Sequence, residues 1–102
     1  MENSKRPYEN ISVSQDYIVR KFSANTDEEE FVWHRDAEDR IVKVLECGKG
    51  WAFQFDEELP YNIEVGTEIF IHAEEYHRVH KGEGDLLVQI TLGFDKYEKE
   101  EA

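Results

Sequence analysis

Cysteine is almost absent from this chain, since Cys47 stands alone among 102 residues. An intramolecular disulfide is therefore impossible, and a small secreted fold held together by disulfides is not expected. No apolar run approaches the roughly 20 residues that a transmembrane helix needs. The opening segment MENSKRPYEN lacks the apolar stretch of a signal peptide. We therefore expect a cytoplasmic protein.

Basic residues are also few, because 12 Lys and Arg stand against 24 Asp and Glu, for a formal net charge of −12. A nucleic-acid-binding protein needs a basic face to replace phosphate counterions, and the sequence offers none. The same negative field opposes adsorption to an anionic membrane. It does not oppose the binding of a metal cation. The sequence thus predicts neither nucleic acid nor membrane as a partner.

Hydrophobic residues make up 39% of the chain and aromatic residues 13%, enough for a compact core. They fall in short β-branched and aromatic segments, which predict strands. The predicted strands are DYIVRKFS (16–23), FVWHR (31–35), RIVKVLE (40–46), WAFQF (51–55), EIFIH (68–72), YHRVH (76–80) and DLLVQITL (85–92).

The connecting segments carry turn residues. Gly48 and Gly50 suit a tight hairpin, Pro60 marks a loop or an edge strand, and Gly82 and Gly84 suit another turn. Seven short strands with such connections predict an all-β fold, either an antiparallel sandwich or a small barrel. We place this single domain at residues 14–94, between a flexible N-terminal segment (1–13) and a flexible acidic tail (95–102).

The segment FVWHRDAEDR contains a histidine and a carboxylate two residues apart, His34 and Asp36. Residues i and i+2 of a strand point to the same face, so these two project together with Val32, away from Trp33 and Arg35. A ring nitrogen and a carboxylate oxygen can each bind one cation at about 2.0–2.2 Å. The third ligand would come from His72, His77 or His80. The alternative is a surface or hydrogen-bonded pair without metal.

A downstream segment, GTEIFIHAEEYHRVHKG, resembles the second motif of the cupin superfamily. That motif is glycine, five residues, proline, one residue, glycine, two residues and histidine. Gly66 and His77 stand in its register, whereas His72 replaces the proline and Glu74 replaces the glycine.

The first cupin motif is glycine, five residues, His-x-His, three or four residues, glutamate, six residues and glycine. His34 matches its first histidine, Asp36 falls on the second, and Arg40 stands where the glutamate belongs. The following VKVLECGKGW is similar to the VLEGEG hairpin of the family. The resemblance covers roughly Phe31 to Ile90 and implies a cupin-type double-stranded β-helix, a small antiparallel jelly-roll barrel.

The ligand set that the resemblance implies is His34, Asp36 and His77. Two histidines and one carboxylate form the facial triad of non-haem Fe(II) oxygenases. We therefore favour Fe²⁺ as the metal, with Zn²⁺, Mn²⁺ or Ni²⁺ as alternatives. Glu38 is a second candidate carboxylate, because it shares a face with the pair if the strand continues.

Two roles are open for Arg40, the residue in place of the glutamate. Its guanidinium could project into the barrel beside the metal and pair with a substrate carboxylate as a catalytic residue. It could instead form a salt bridge with Asp36, Glu38 or Asp39, which would weaken Asp36 as a ligand.

The resemblance implies two functions. One is a metal-dependent enzyme acting on a small molecule, either an oxidoreductase of the dioxygenase type or an isomerase. The alternative is a non-catalytic module that binds a small ligand or serves as an interaction domain, because cupins carry many functions. The resemblance also implies a homodimer, since cupins commonly dimerise through their sheets.

Overall fold

The computed structural model describes residues 8–26 and 31–92, and these fold into eight strands. The strands are β1 (Tyr8–Val13), β2 (Tyr17–Ser23), β3 (Arg40–Cys47), β4 (Ala52–Phe55), β5 (Tyr61–Asn62), β6 (Glu68–Ile71), β7 (His77–His80) and β8 (Asp85–Leu92). Within these ranges the structure has no helix long and apolar enough to cross a membrane.

The strands form two antiparallel sheets, which confirms the predicted all-β class. The larger sheet has the order β1-β2-β8-β3-β6, and the smaller has the order β5-β4-β7. Alternate residues of β8, Leu86, Val88 and Ile90, are each at most 3% exposed. They belong to one core cluster with Phe53 of the smaller sheet. The core therefore lies between the two sheets, as expected for strands that bury one face.

The two glycine-rich connections lie against each other, but neither closes a hairpin between paired strands. Residues 48–50 lead from the larger sheet to the smaller one, and residues 82–84 lead back. The amide of Glu83 donates to the Lys49 carbonyl at 2.7 Å. A Cβ on Gly48 would collide with the Glu83 carbonyl, so the glycine is needed for this close approach. The predicted hairpin at Gly48 and Gly50 was wrong, because turn residues do not reveal whether their flanking strands pair.

The observed strands differ from the predicted ones in three further places. The segment FVWHR, predicted as a strand, does not form one. Within it only His34 makes a β-bridge, and its partner is His77. The short β5 was not predicted, although it follows Pro60 at a sheet edge as that residue indicated. The predicted flexible segment 1–13 includes Tyr8–Val13, which form β1 by pairing with β2. Residues 1–7 and the predicted tail 95–102 lie outside the described residues.

Candidate metal centre

The two histidines of the candidate site are joined through their backbones. The amide of His34 donates to the His77 carbonyl at 3.0 Å, and the amide of His77 donates to the His34 carbonyl at 2.9 Å. Residues that exchange both hydrogen bonds lie directly opposite each other, with side chains on one face. The rings accordingly approach to 4.2 Å between centroids. A single bridge therefore brings the two sequence motifs together.

The side chains around His34 alternate as predicted, although the segment is not a regular strand. Val32, His34 and Asp36 line one cavity that opens to the surface. On the opposite side, the guanidinium of Arg78 lies 4.7 Å from the Trp33 ring centroid. These contacts keep the extended backbone oriented so that both predicted ligands face inward.

The turn between β6 and β7 fixes the backbone of Asp36. The amide of Glu74 donates to the Asp36 carbonyl at 2.6 Å, and the amide of Ala73 donates to Asp39 Oδ1 at 2.7 Å. Glu74 has a φ of 67°, in the left-handed region that favours glycine. The glutamate at the motif's glycine position thus preserves the turn, and the turn ties Asp36 to the strand that carries His77.

His34, Asp36 and His77 each offer a ligand atom, and these atoms all lie within 4.8 Å of one another. His77 Nε2 is 3.3 Å from Asp36 Oδ2. Two ligands bound to one metal at 2.0–2.2 Å are separated by about 2.8–3.6 Å in octahedral or tetrahedral geometry. His77 and Asp36 are therefore already spaced as two ligands of one ion.

Backbone carbonyls set the tautomer of both histidines. Nδ1 of His34 lies 3.1 Å from the Val32 carbonyl, and Nδ1 of His77 lies 2.8 Å from the Glu75 carbonyl. A carbonyl only accepts, so each Nδ1 must carry the proton and each neutral ring keeps its lone pair on Nε2. Metal-binding histidines are commonly oriented in this way.

Asp36 presents one oxygen to Arg40 and the other to His77. Its Oδ1 lies 3.6 Å from Arg40 Nη2, whereas its buried Oδ2 has no hydrogen-bond partner. When the His77 ring is neutral, the carboxylate oxygen faces its lone pair, an arrangement that a cation between them would stabilise. Burial raises the pKa of Asp36, but its contact with His77 and the Arg40 guanidinium lower it more, and the pKa falls below its ordinary 3.8.

The two histidines differ in exposure. His77 is 3% exposed and stacks on Phe53, with ring centroids 5.6 Å apart. His34 is exposed at the rim of the cavity. Partial burial nevertheless lowers the pKa of His34 below 6.5, and this outweighs the hydrogen bond to the Val32 carbonyl, which raises it. His34 is therefore held in the neutral, metal-binding form to lower pH than an ordinary histidine.

The cavity beside the three residues has a volume of about 200 Å³ and a mainly apolar wall. Arg40 lines it and is paired with Asp36, so the predicted salt bridge forms at the cavity wall. Arg20 and Tyr8 also line the cavity, and sequence reasoning missed both. The signal was present in β2, where Arg20 shares a face with Ile18 and Phe22, which both pack against the core.

In the described part of the chain, the other candidate ligands do not join the group of His34, Asp36 and His77. His72 is exposed and contacts the Phe70 ring. Nε2 of His80 lies 2.8 Å from Gln54 Oε1. Glu38 is exposed, so of the two carboxylates considered only Asp36 joins the histidines. Cys47 packs against the core, and burial raises the pKa of its thiol, as expected of an unreactive cysteine.

No protein-family model matches the sequence, and no curated protein sequence matches it. The structure, however, is similar to several solved structures. Protein NMB1881 from Neisseria meningitidis superposes with a TM-score of 0.60 at 20% identity, over 89% of this chain and 88% of that one. A cupin-2 domain protein from Shewanella frigidimarina gives a TM-score of 0.57 at 20% identity, over 88% and 82%.

The cobalt(II) form of HppE, in complex with Tris, gives a TM-score of 0.67 at 12% identity. The match covers 90% of this chain and 56% of HppE. For the iron(II) form of HppE the match spans only 41% of that protein. At these identities the likeness concerns the fold and not the function. The chain has the cupin fold, a double-stranded β-helix built from two antiparallel sheets.

Proposed function

We propose that this domain binds one divalent metal ion through His34, Asp36 and His77 and holds a small molecule in the adjoining cavity. One observation carries the proposal: His77 Nε2 and the buried Asp36 Oδ2, which lacks a hydrogen-bond partner, lie 3.3 Å apart. With Nδ1 of His77 donating to a carbonyl, no proton of the neutral ring lies between these two atoms. A cation bound between them would balance the charge of the carboxylate oxygen and accept the lone pair of Nε2. His34 provides a third ligand at the rim of the cavity.

Iron(II) is the metal we favour, because two histidines and one carboxylate form the donor set of non-haem Fe(II) oxygenases. HppE, a structurally similar protein, was solved in iron(II) and cobalt(II) forms. A divalent ion bound here would supply Lewis-acid chemistry or, as iron(II), dioxygen activation. Zinc, manganese and nickel are the alternative metals.

The protein's own contribution is to fix the ligands and to provide an apolar wall beside them. The carbonyls of Val32 and Glu75 hold the two imidazole rings with Nε2 toward the site. Arg40 holds Oδ1 of Asp36, which leaves Oδ2 for the metal. The apolar wall surrounds the non-polar part of a bound molecule and strengthens the electrostatic interactions inside. We propose an oxidoreductase of the dioxygenase type on this basis.

Elemental analysis of protein without a histidine tag, purified without added metal, tests the metal site. We expect about one equivalent of metal in the wild type and almost none in His34→Ala and His77→Ala. His72→Ala is the matched control and should keep its metal, because His72 lies outside the group. Wild-type protein that is metal-free and does not bind titrated Fe(II) would exclude the proposal.

A second candidate is a non-catalytic ligand-binding module with the same fold. The contact between Arg40 and Asp36 supports it, because a paired carboxylate is a weaker metal ligand. Oxygen consumption with Fe(II) and small organic acids, with and without 2-oxoglutarate, separates the two. Uptake that disappears in His77→Ala supports the enzyme, and no uptake with any acid supports the module. The homodimer and the cytoplasmic location stay predictions.

A further inference from the structure

We propose that Arg78 is a positioning residue for the metal centre: its guanidinium, stacked on Trp33, holds the segment that carries His34 against β7. This inference rests on the proposed function, because it takes His34 as a metal ligand. It assigns a role to side chains on the outer face of the smaller sheet, on the side opposite to the ligands.

Segment 31–36 carries two of the three ligands but is not a regular strand. In the described part of the chain, three backbone hydrogen bonds join it to neighbouring segments. Two are exchanged with His77, and one runs from the Glu74 amide to the Asp36 carbonyl. The side chain of His34 is exposed, whereas His77 is 3% exposed. Packing therefore fixes His77, while the position of His34 depends on what holds its backbone.

Trp33 and Arg78 are cross-strand neighbours on the outer face. Because His34 pairs with His77 in an antiparallel bridge, Trp33 lies opposite Arg78. The central carbon of the guanidinium lies 4.7 Å from the Trp33 ring centroid. This is within the roughly 6 Å over which a cation is attracted to an aromatic face, and tryptophan gives the strongest contact of this kind. The stack therefore ties the His34 segment to β7 through side chains.

Gln54 of β4 holds the Arg78 guanidinium from the other side. The two residues are partners in the register of β4 and β7, and Gln54 Oε1 accepts from Arg78 Nε at 3.1 Å. The side-chain nitrogen of Gln54 donates to the Glu58 carbonyl at 2.8 Å, which fixes the orientation of this amide. With Nε held in this way, the planar guanidinium is kept over the Trp33 ring. Gln54, Arg78 and Trp33 thus form one row behind the histidine ligands.

Arg35 provides a matched comparison on the same face. Its central carbon lies 5.1 Å from the Tyr76 ring centroid, and its side chain is 54% exposed. Its Nε lies 3.2 Å from Glu74 Oε1, and an exposed ion pair of this kind contributes little to stability. Removing the Arg35 guanidinium should therefore disturb the His34 segment less than removing that of Arg78.

Hydrogen exchange of backbone amides, followed by NMR in the metal-free protein, tests the tie. The His34 amide reports opening of the bridge, and the Ile63 amide, which donates to the Trp51 carbonyl at 3.0 Å, reports opening elsewhere. We expect Arg78→Met to speed exchange at His34 about two- to fivefold, the effect of losing an exposed cation–π contact, and to leave Ile63 unchanged. Arg78→Lys, which keeps a cation beside the ring, should retain most of the protection.

Two further comparisons separate this role from a general effect on the fold. In the Trp33→Leu background, Arg78→Met should have no additional effect on exchange at His34, because the ring that the guanidinium contacts is gone. Arg35→Met should exchange like the wild type.

Zn²⁺ titration of the same variants tests the link to the metal centre. Arg78→Met should bind Zn²⁺ about threefold more weakly, because the apparent affinity scales with the fraction of protein in which His34 is in place. Arg78→Lys and Arg35→Met should bind like the wild type.

Unchanged exchange at His34 in Arg78→Met, an effect that persists in the Trp33→Leu background, or equally faster exchange at Ile63 would each overturn the proposal. So would an unchanged Zn²⁺ affinity despite faster exchange at His34. If Arg78→Met unfolds, Trp33→Leu and Arg78→Lys decide the question, since only the first should speed exchange at His34. Wild-type protein that binds no Zn²⁺ would overturn the proposed metal function, while the exchange data would still decide whether Arg78 holds His34.

Discussion

His34 and His77 exchange two backbone hydrogen bonds, and their imidazole rings lie 4.2 Å apart. Their proximity is thus set by the backbone. The carbonyls of Val32 and Glu75 orient both rings from the same two chain segments. The backbone therefore preorganises both rings for metal binding.

Replacing the histidines should separate metal binding from stability. His34→Ala and His77→Ala should each weaken Zn²⁺ binding by at least about 100-fold, more than the loss of an outer-shell partner does. Only His77→Ala should also destabilise the metal-free fold, by about 1–3 kcal/mol, because His77 is buried against Phe53. Calorimetric titration and urea unfolding measure the two effects. Equal destabilisation by both variants would contradict this difference.

Asp36 and Glu38 form a matched pair for identifying the carboxylate ligand. Asp36→Asn should abolish tight binding of Zn²⁺, because it removes the charge of the oxygen beside His77. Glu38→Gln removes the same charge two residues away, from an exposed position, and should leave the affinity unchanged. Metal titrations of both variants decide the point. Loss of binding in Glu38→Gln alone would show that Glu38 is the ligand.

Arg40 should strengthen the metal site by orienting Asp36. We expect Arg40→Met to weaken Zn²⁺ binding by about 10–100-fold, the usual effect of removing an outer-shell partner. Arg35→Met is the control, since Arg35 is exposed and pairs with Glu74 instead. If Arg40 instead competes with the metal for Asp36, the same variant will bind Zn²⁺ more tightly. The sign of the change therefore distinguishes the two roles.

The stability of the metal-free protein should fall as the pH drops below 6.5. The pKa of His34 is lowered in the folded state, so the unfolded chain binds more protons between the folded value and 6.5. Below pH 3.8 a further loss of stability follows, because the pKa of Asp36 is also lowered in the folded state. The stabilisation by ionised Asp36 is lost as the pH falls from 3.8 through this lower, folded-state pKa. Urea unfolding at pH 7 and pH 5 should show a smaller loss for His34→Gln than for His72→Gln. Identical losses would contradict the role of His34.

The sequence predicted that His34, Asp36 and His77 lie together better than it predicted the local structure of the segment around His34. His34 and Asp36 face the cavity because alternation needs only an extended backbone, which one bridge to His77 maintains. The turn of the motif is kept although Glu74 replaces its glycine, because a left-handed φ is uncommon but tolerated in residues other than glycine.

Other features depended on long-range pairing that local patterns do not encode. The polar segment YENISV became β1 because β2 offered an edge, and Gly48–Gly50 joined two sheets instead of two paired strands. Arg20 was missed because a charged residue in a strand is usually assigned to the solvent face. Its alternation with Ile18 and Phe22 was the available signal, and the register with Val88 shows that it lies on the inward face.

Long-range ¹H–¹⁵N NMR of the imidazole rings during a Zn²⁺ titration tests the metal site most directly. We expect one equivalent to shift the Nε2 resonances of His34 and His77 while both Nδ1 nitrogens stay protonated, as their carbonyl contacts require. The rings of His72 and His80 should not change. Unchanged His34 and His77 resonances at one equivalent, or equal shifts in all four rings, would contradict a metal centre at these residues.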